Sequence, residues 1–260
     1  MLRLARGRVL YLTPDKTMAE FIYSRNAVYE TLIAERRPAV KLFVAETATI
    51  QGQLAKILDL AKQKHIPVEK VSKQRLEKHS YQHQGVVLEA GPYPYSDLTE
   101  MTELAASRNE PLFVLLLDSL QDPQNFGTLL RTAEAVGVHG VLLPLARTVE
   151  VTPSVVNSSS GASEHLLIGR SNLAQAIDIL KKEGAWIVGL DEDEHSQTPD
   201  KIRLDGAIGI VVGSEGEGIR PLISKKCDFL MRLPMKGKIE SLNASVAGSI
   251  VLYLTLLARK

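Results

Sequence analysis

From Pro111 onward the chain alternates short runs of Leu, Val and Ile with stretches whose apolar residues recur at helical spacing. Residues 112–117, 140–144, 185–190, 207–212 and 228–233 read as strands, and 127–136, 172–183 and 243–259 as helices. Strands of near-continuous apolar residues are buried on both faces, so the pattern predicts an α/β fold with a parallel sheet and helices on each side. The first part of the chain reads differently. Phe21, Val28, Leu32 and Ile33 predict one helix over 19–37, followed by a strand at 40–45, a helix at 50–64, a strand at 66–71, a helical turn at 75–79 and a strand at 85–89. Between the two parts, Gly91-Pro92-Tyr93-Pro94-Tyr95 is too rich in proline for a helix or a central strand, and a helix over 97–106 leads into the second unit. The expected division is an extension over 1–17, a small α/β domain over 18–92, a linker over 93–110 and a large domain over 111–260.

Composition is that of a globular chain of 260 residues, 45% hydrophobic and 23% charged. No apolar run approaches the roughly 18 residues that span a bilayer. The lone Cys227 rules out an internal disulfide and a multi-cysteine zinc site and suits a reducing cytoplasm; flanked by Lys225 and Lys226, it reads as a packed bystander before a nucleophile. Residues 1–14 are basic and lack acids, but the stretch is short and holds no serine, which argues against a transit peptide. Net charge is only +1, yet residues 1–95 hold 15 Lys+Arg against 9 Asp+Glu, while 96–260 hold 16 against 21. A basic first part facing phosphates and a second part with another task fit that asymmetry.

The candidate chemistry lies in three turns, each just beyond an apolar strand, where the ligands of parallel sheets bind. In the first, Asp122-Pro123 makes a turn, Gly127 admits close backbone approach, and Arg131 projects from the following helix into the crevice the glycine opens, there to hold a phosphate or polarise a hydroxyl. A plain surface pairing of Arg131 with Glu134 or Asp118 is the bland alternative. The second, Gly213-Ser214-Glu215-Gly216-Glu217-Gly218, is neither a P-loop nor a dinucleotide fingerprint, because it lacks the Gly-Lys-Ser/Thr end and the glycine order. Two carboxylates in a glycine-rich loop suit a neutral or cationic ligand, for example the sulfonium and ribose of S-adenosylmethionine. In the third, the basic loop 235–238 precedes Ser241-Leu242-Asn243, which caps the last helix and exposes amides that can hold an adenine edge. That helix carries Val246, Ile250, Leu254 and Leu257 beside Ala247, Gly248 and Ser249, apolar enough to pack against a second subunit. The acidic run 191–195 reads as a solvated loop before a metal site, and 157–164 as a loop and helix start bordering the site.

In order, these stretches resemble the three signature motifs of the SpoU (TrmH-type) RNA ribose 2′-O-methyltransferases of the SPOUT superfamily. Asn125, Gly127, Arg131 and Ala133 match the first, Gly213, Glu215, Gly216 and Gly218 the second, and Pro234, Met235, Gly237, Ser241, Leu242 and Asn243 the third. Residues 19–89, with Arg25-Asn26-Ala27-Val28-Tyr29-Glu30 and His83-Gln84-Gly85-Val86-Val87, are similar to the family's substrate-binding domain, itself similar to ribosomal protein L30e. Ser24 stands where the family usually has glycine, and Thr128 where alanine is common. The likeness begins at Met18, so residues 1–17 are expected to be an extension or an upstream reading of the start codon.

The resemblance implies a parallel-sheet methyltransferase domain with a trefoil knot near its C-terminus, an exception to the un-knotted rule. It implies S-adenosylmethionine held at Gly213, Leu233 and Leu242 with Ser241 and Asn243 nearby, no metal, and a homodimer whose site is completed across the interface. Its reaction is attack of a ribose 2′-hydroxyl on the sulfonium methyl, with Arg131 as base or as stabiliser of the developing oxyanion and Asn125, Glu215, Ser241 and Asn243 around it. Within the family the likeness points to methylation of a guanosine of large-subunit (23S) ribosomal RNA. Methylation of tRNA, or a silent RNA-binding role, are the alternatives; a Rossmann dehydrogenase lacks its glycine order and ribose-binding acid here.

Overall fold

The computed structural model describes residues 19–214, 216–238 and 241–259. The expected extension over 1–17 lies outside them, and with it three charges of the surplus of six that the sequence assigns to residues 1–95.

The small unit runs β1 (Glu20–Tyr23), α1 (Arg25–Ala34), β2 (Ala39–Ala45), α2 (Gln53–Gln63), β3 (Val68–Val71), α3 (Lys73–Glu77) and β4 (Val86–Ala90). Its four strands order as β1-β4-β2-β3, with only β2 and β3 parallel. Side chains alternate across a strand, so Leu42 and Val44 of β2 face the core under α1 and α2, while Phe43 and Ala45 join Val71, Leu76 and Val87 on the other face. The helix expected over 19–37 is corrected here. Residues 20–23 pair antiparallel with β4, and the break falls at Ser24, held at φ 76° and ψ 151° while its carbonyl accepts the N–H of Val28 and opens α1. Ile33, expected on the apolar face, is 44% exposed.

The large unit continues with α4 (Leu98–Arg108), β5 (Phe113–Leu117), α5 (Pro123–Ala135), β6 (Gly140–Pro144), α6 (Pro153–Ser158), a 3-10 turn at Ala162–His165, β7 (Ile168–Ser171), α7 (Leu173–Lys182), β8 (Trp186–Leu190), β9 (Ile208–Val212), α8 (Pro221–Ser224), β10 (Phe229–Met231) and α9 (Ala244–Ala258). Six strands form a fully parallel sheet in the order β10-β8-β9-β5-β6-β7. One face packs Leu115, Leu117, Ile210 and Val212 under α5 and α9; the other packs Val114, Leu116, Ile187 and Val211 under α4 and α7. Both faces are thus covered, as the continuous apolar strands require. The edge strand β7 has no counterpart in the sequence reading. No helix of the described residues is long and apolar enough to cross a membrane.

The two units are joined by more than the chain. Arg37, buried, donates to Glu164 Oε1 at 2.7 Å and Oε2 at 3.0 Å, to Glu20 at 2.5 Å and to the Gly91 carbonyl at 3.3 Å. Arg36 donates to the Tyr93 hydroxyl, Pro94 O and Ser96 Oγ, and also reaches Leu166 O. Tyr93 lies beneath both guanidinium groups, and burial pushes its hydroxyl well above the ordinary phenol range. Ser96 bridges to Gly169 of β7. The proline-rich stretch is therefore a packed seam.

Candidate functional site

Parallel topology aims the ends of β8, β9 and β10 at one side of the sheet, and the second and third motifs meet there. A cavity of about 530 Å³ is lined by Gly213, Leu233, Ser241, Leu242 and Asn243, together with Asp191, Glu192 and Glu217. Gly213 is required by proximity: a Cβ there would overlap the carbonyl of Gly218 and come within 2.5 Å of Ile219 N. That contact closes the glycine loop on itself, helped by paired backbone hydrogen bonds between Ser214 and Gly218 at 3.1 Å. Glu215 lies outside the described residues. Among the described residues, three carboxylates and Arg232 border the cavity, with Val212, Met231 and Leu233 as apolar floor. Such a lining receives a ligand that is part apolar and part cationic.

Asn243 caps α9. Its side-chain oxygen accepts the N–H of Ser245 at 2.9 Å and of Val246 at 3.3 Å, which satisfies two of the helix's orphan donors. Its amide donates to Asn125 Oδ1 at 3.1 Å. Ser245 Oγ lies 2.6 Å from Asn243 Oδ1 and 3.1 Å from Asn125 Oδ1, and its single proton serves one of them at a time. Asn125 sits in the first turn of α5, whose cap Asp122 accepts its N–H at 2.9 Å. The helix starts of α5 and α9 are thus tied together beside the cavity.

Arg131 is placed elsewhere. It shares a face of α5 with Gly127, as its spacing of four implies, but that face meets α6 and not the cavity. Gly127 is buried, and a Cβ there would overlap Ser158 Oγ and lie 2.8 Å from the Ser158 carbonyl carbon, so the glycine admits a helix where the sequence suggested a ligand. Arg131, exposed, donates to Ser160 Oγ at 3.4 Å. Of its suggested alternative partners, Asp118 is taken by Arg220, which donates Nε at 2.7 Å and its backbone N–H at 2.8 Å to the buried carboxylate. That pair locks the segment after the glycine loop to the end of β5. The only signal for it was an aspartate ending a wholly apolar strand.

Asp191 and Glu192 of the acidic run border the cavity, where the sequence suggested a solvated loop. Among the described residues no group of three or more His, Cys, Asp or Glu is placed to hold a metal ion. Cys227 is largely buried against Ile223 O at 3.4 Å, and burial pushes its thiol up to about 12, which removes it as a nucleophile at neutral pH.

Both units match families of known proteins. Residues 112–253 match the SpoU rRNA Methylase family, and residues 21–96 match the domain family described as RNA 2′-O ribose methyltransferase substrate binding. A protein of Bacillus subtilis, described as a TrmH family tRNA/rRNA methyltransferase, is 41% identical over 238 residues, 90% of this chain and 94% of its own. A Staphylococcus aureus protein described in the same terms is 40% identical over 234 residues, 89% of this chain and 93% of its own. In fold, the chain is similar to the SpoU methyltransferase AviRb of Streptomyces viridochromogenes in complex with AdoMet (TM-score 0.76, 21% identity, 92% of this chain and 90% of that one). It is likewise similar to an AdoMet-bound rRNA methyltransferase of Sinorhizobium meliloti (TM-score 0.75, 21% identity, 93% and 88%). A parallel sheet with both faces covered, a glycine-closed cavity at its strand ends and these matches over nearly the whole described length lead to one assignment: the chain belongs to the SpoU rRNA methylase family of RNA methyltransferases.

Proposed function

We propose that the chain transfers a methyl group from S-adenosylmethionine to a ribose 2′-hydroxyl of ribosomal RNA, a guanosine of the large-subunit (23S) RNA in particular. The carrying observation is the cavity at the ends of β8, β9 and β10. Its volume of about 530 Å³ suits a nucleoside-sized ligand, its apolar floor an adenine, and its bordering carboxylates a sulfonium and an ammonium. Gly213, Leu233, Ser241, Leu242 and Asn243 would hold the group, which when bound supplies an electrophilic methyl on a positive sulfur.

The remaining work falls to the chain's own side chains. Asn125 and Asn243, fixed against each other, orient the groups around the reacting hydroxyl. Arg131 positions the RNA phosphate and stabilises the oxyanion, since a guanidinium is too basic to serve readily as the proton acceptor. Glu215 and Ser241 complete the set. Because Arg131 stands apart from its own chain's cavity, we place it at the cavity of a second copy in a homodimer. An exposed stripe on α9, Val246, Ile250, Tyr253 and Leu257, supports that contact. The knot belongs to the same proposal, supported by a sheet in which β10 lies outside β8 while α9 returns to pack on α5. So do the boundaries 18–92, 93–110 and 111–260, the small domain serving as the RNA-binding unit, and a cytoplasmic site of action.

Transfer of labelled methyl to unmodified large-subunit rRNA, small-subunit rRNA and bulk tRNA, followed by nuclease mapping, tests the proposal. Label in 2′-O-methylguanosine of the large-subunit RNA is expected; label confined to tRNA overturns the substrate. Arg131→Lys is expected to lose most turnover, because a point charge lacks the planar fork. Mixing Arg131→Ala with Gly213→Ala subunits restores activity if Arg131 acts across the dimer, and leaves none if it acts within its own chain.

A further inference from the structure

A second cavity, about 860 Å³, is bordered mainly by the small unit and shares no lining residue with the cofactor cavity. It opens between the loop after β2, the start of α1 and the loop before β4, and Asn157 of α6 closes it from the large unit. Four features of its wall point to one kind of occupant. Tyr81 lies on it with 86% of its surface exposed, a large ring that the fold itself does not use. Arg25 and Lys73 supply positive charge, Lys73 while pairing with Glu77 at 3.3 Å outside the cavity, and no Asp or Glu stands among the described residues lining it. Gln82 and Gln84 line the same wall; their side-chain oxygens accept from Asn157 and from the Arg25 backbone N–H at 3.1 Å, and each keeps an NH2 group and a second lone pair for the edge of a base.

The loop carrying them is held in shape. His83 is buried, its Nδ1 accepts the Gly85 N–H at 2.8 Å, and burial holds its pKa below the ordinary imidazole value. Gln84 and Gly85 both take positive φ, 51° and 87°, and the Gln84 carbonyl accepts Arg25 Nε at 3.1 Å. Asn157 donates to Gln82 Oε1 at 2.9 Å. Three residues further on, Ser160 receives Arg131.

We infer that this cavity takes an unpaired nucleotide of the RNA, its base stacked on Tyr81 with the edge read by Gln82 and Gln84, and its phosphates met by Arg25 and Lys73. Stacking on an aromatic ring and reading of splayed bases is how proteins recognise single-stranded RNA, whereas duplex RNA offers only shape and backbone. The inference rests on the reading of the chain as an RNA methyltransferase, and α6 leads from the cavity to Arg131, so the nucleotide held here sets which ribose reaches the site.

The test is fluorescence anisotropy of the full chain with a labelled single-stranded RNA 12-mer of mixed sequence, beside the same 12-mer annealed to its complement. Methyl transfer to large-subunit rRNA is measured on the same preparations. Tyr81→Ala is expected to weaken single-strand binding about 5- to 150-fold, the equivalent of stacking one base. Tyr81→Phe, which keeps the ring, stays within about twofold. In methyl transfer Tyr81→Ala raises KM for RNA and leaves kcat and S-adenosylmethionine binding in place. Equal loss in Tyr81→Phe and Tyr81→Ala overturns the inference, as does unchanged binding in Tyr81→Ala or duplex binding as tight as single-strand binding. Absence of methyl transfer by the unaltered chain to any RNA overturns the functional reading instead.

Discussion

Replacing Arg37 with Met isolates the seam between the two units. The Arg37 and Glu164 side chains are both wholly buried, and Glu164 takes both its short contacts from that one guanidinium. Removing the cation leaves a buried carboxylate without its partner, a change that costs about 3–5 kcal/mol in such sites. For a chain of this size each kcal/mol moves the melting temperature by roughly 2–4 °C, so a fall on the order of 6–20 °C is expected by circular dichroism or calorimetry. Because the loss is an orphaned charge and not lost packing, Arg37→Met combined with Glu164→Leu should recover most of it, Glu20 turning to the water it already meets. The pH dependence follows the same logic. Burial raises the Glu164 carboxyl above its ordinary 4.5 and Arg37 opposes the rise. Without Arg37 the folded value climbs further, so between it and 4.5 the folded chain holds a proton that the unfolded chain has released. Lowering the pH through that window therefore stabilises Arg37→Met, and its deficit narrows toward pH 5. An Arg37→Met melt within about 1 kcal/mol of the unaltered chain, or a double variant no better than the single one, refutes the reasoning.

Ser24→Gly should raise stability by about 1 kcal/mol, since a non-glycine residue at φ 76° and ψ 151° is strained and glycine's greater chain entropy takes back only part of the relief; a lower melting temperature contradicts this. Gly213→Ala pushes the loop apart from Gly218 and is expected to weaken S-adenosylmethionine binding at least tenfold by titration calorimetry, with unchanged affinity counting against the cavity. Cys227, with its thiol near 12, should resist iodoacetamide at pH 8 for hours in the folded chain and react once unfolded in denaturant.

The strands β5, β6 and β9 were legible because five-residue apolar runs bounded by turns leave few other readings, and α9 because its apolar spacing runs for fifteen residues. Residues 20–23 were absorbed into a helix because the break is a serine forced to positive φ, where glycine or proline would have announced it. The Ile-Gly-Arg-Ser of β7 is too short and too polar to stand out, and only pairing with β6 makes it a strand. At the site, Gly213, Leu233, Ser241, Leu242 and Asn243 share one cavity because each follows a strand end or opens a helix, which local sequence reveals. Asp191 and Glu192 join them only because β8 lies between β9 and β10, an order that no local pattern carries. The same holds for Arg131, whose helix was evident but whose neighbour Ser160 comes from a distant turn.

The segment from α6 to the 3-10 turn touches everything around it. Asn157 reaches the small unit, Ser158 fills the space that Gly127 leaves, Ser160 receives Arg131, and Glu164 anchors Arg37. Modularity is limited accordingly. A chimera that grafts a relative's small unit onto this large one replaces one half of these contacts and keeps the other. Such a graft must carry residues 153–165 with it, although they lie some sixty residues beyond the point where the two units join in sequence.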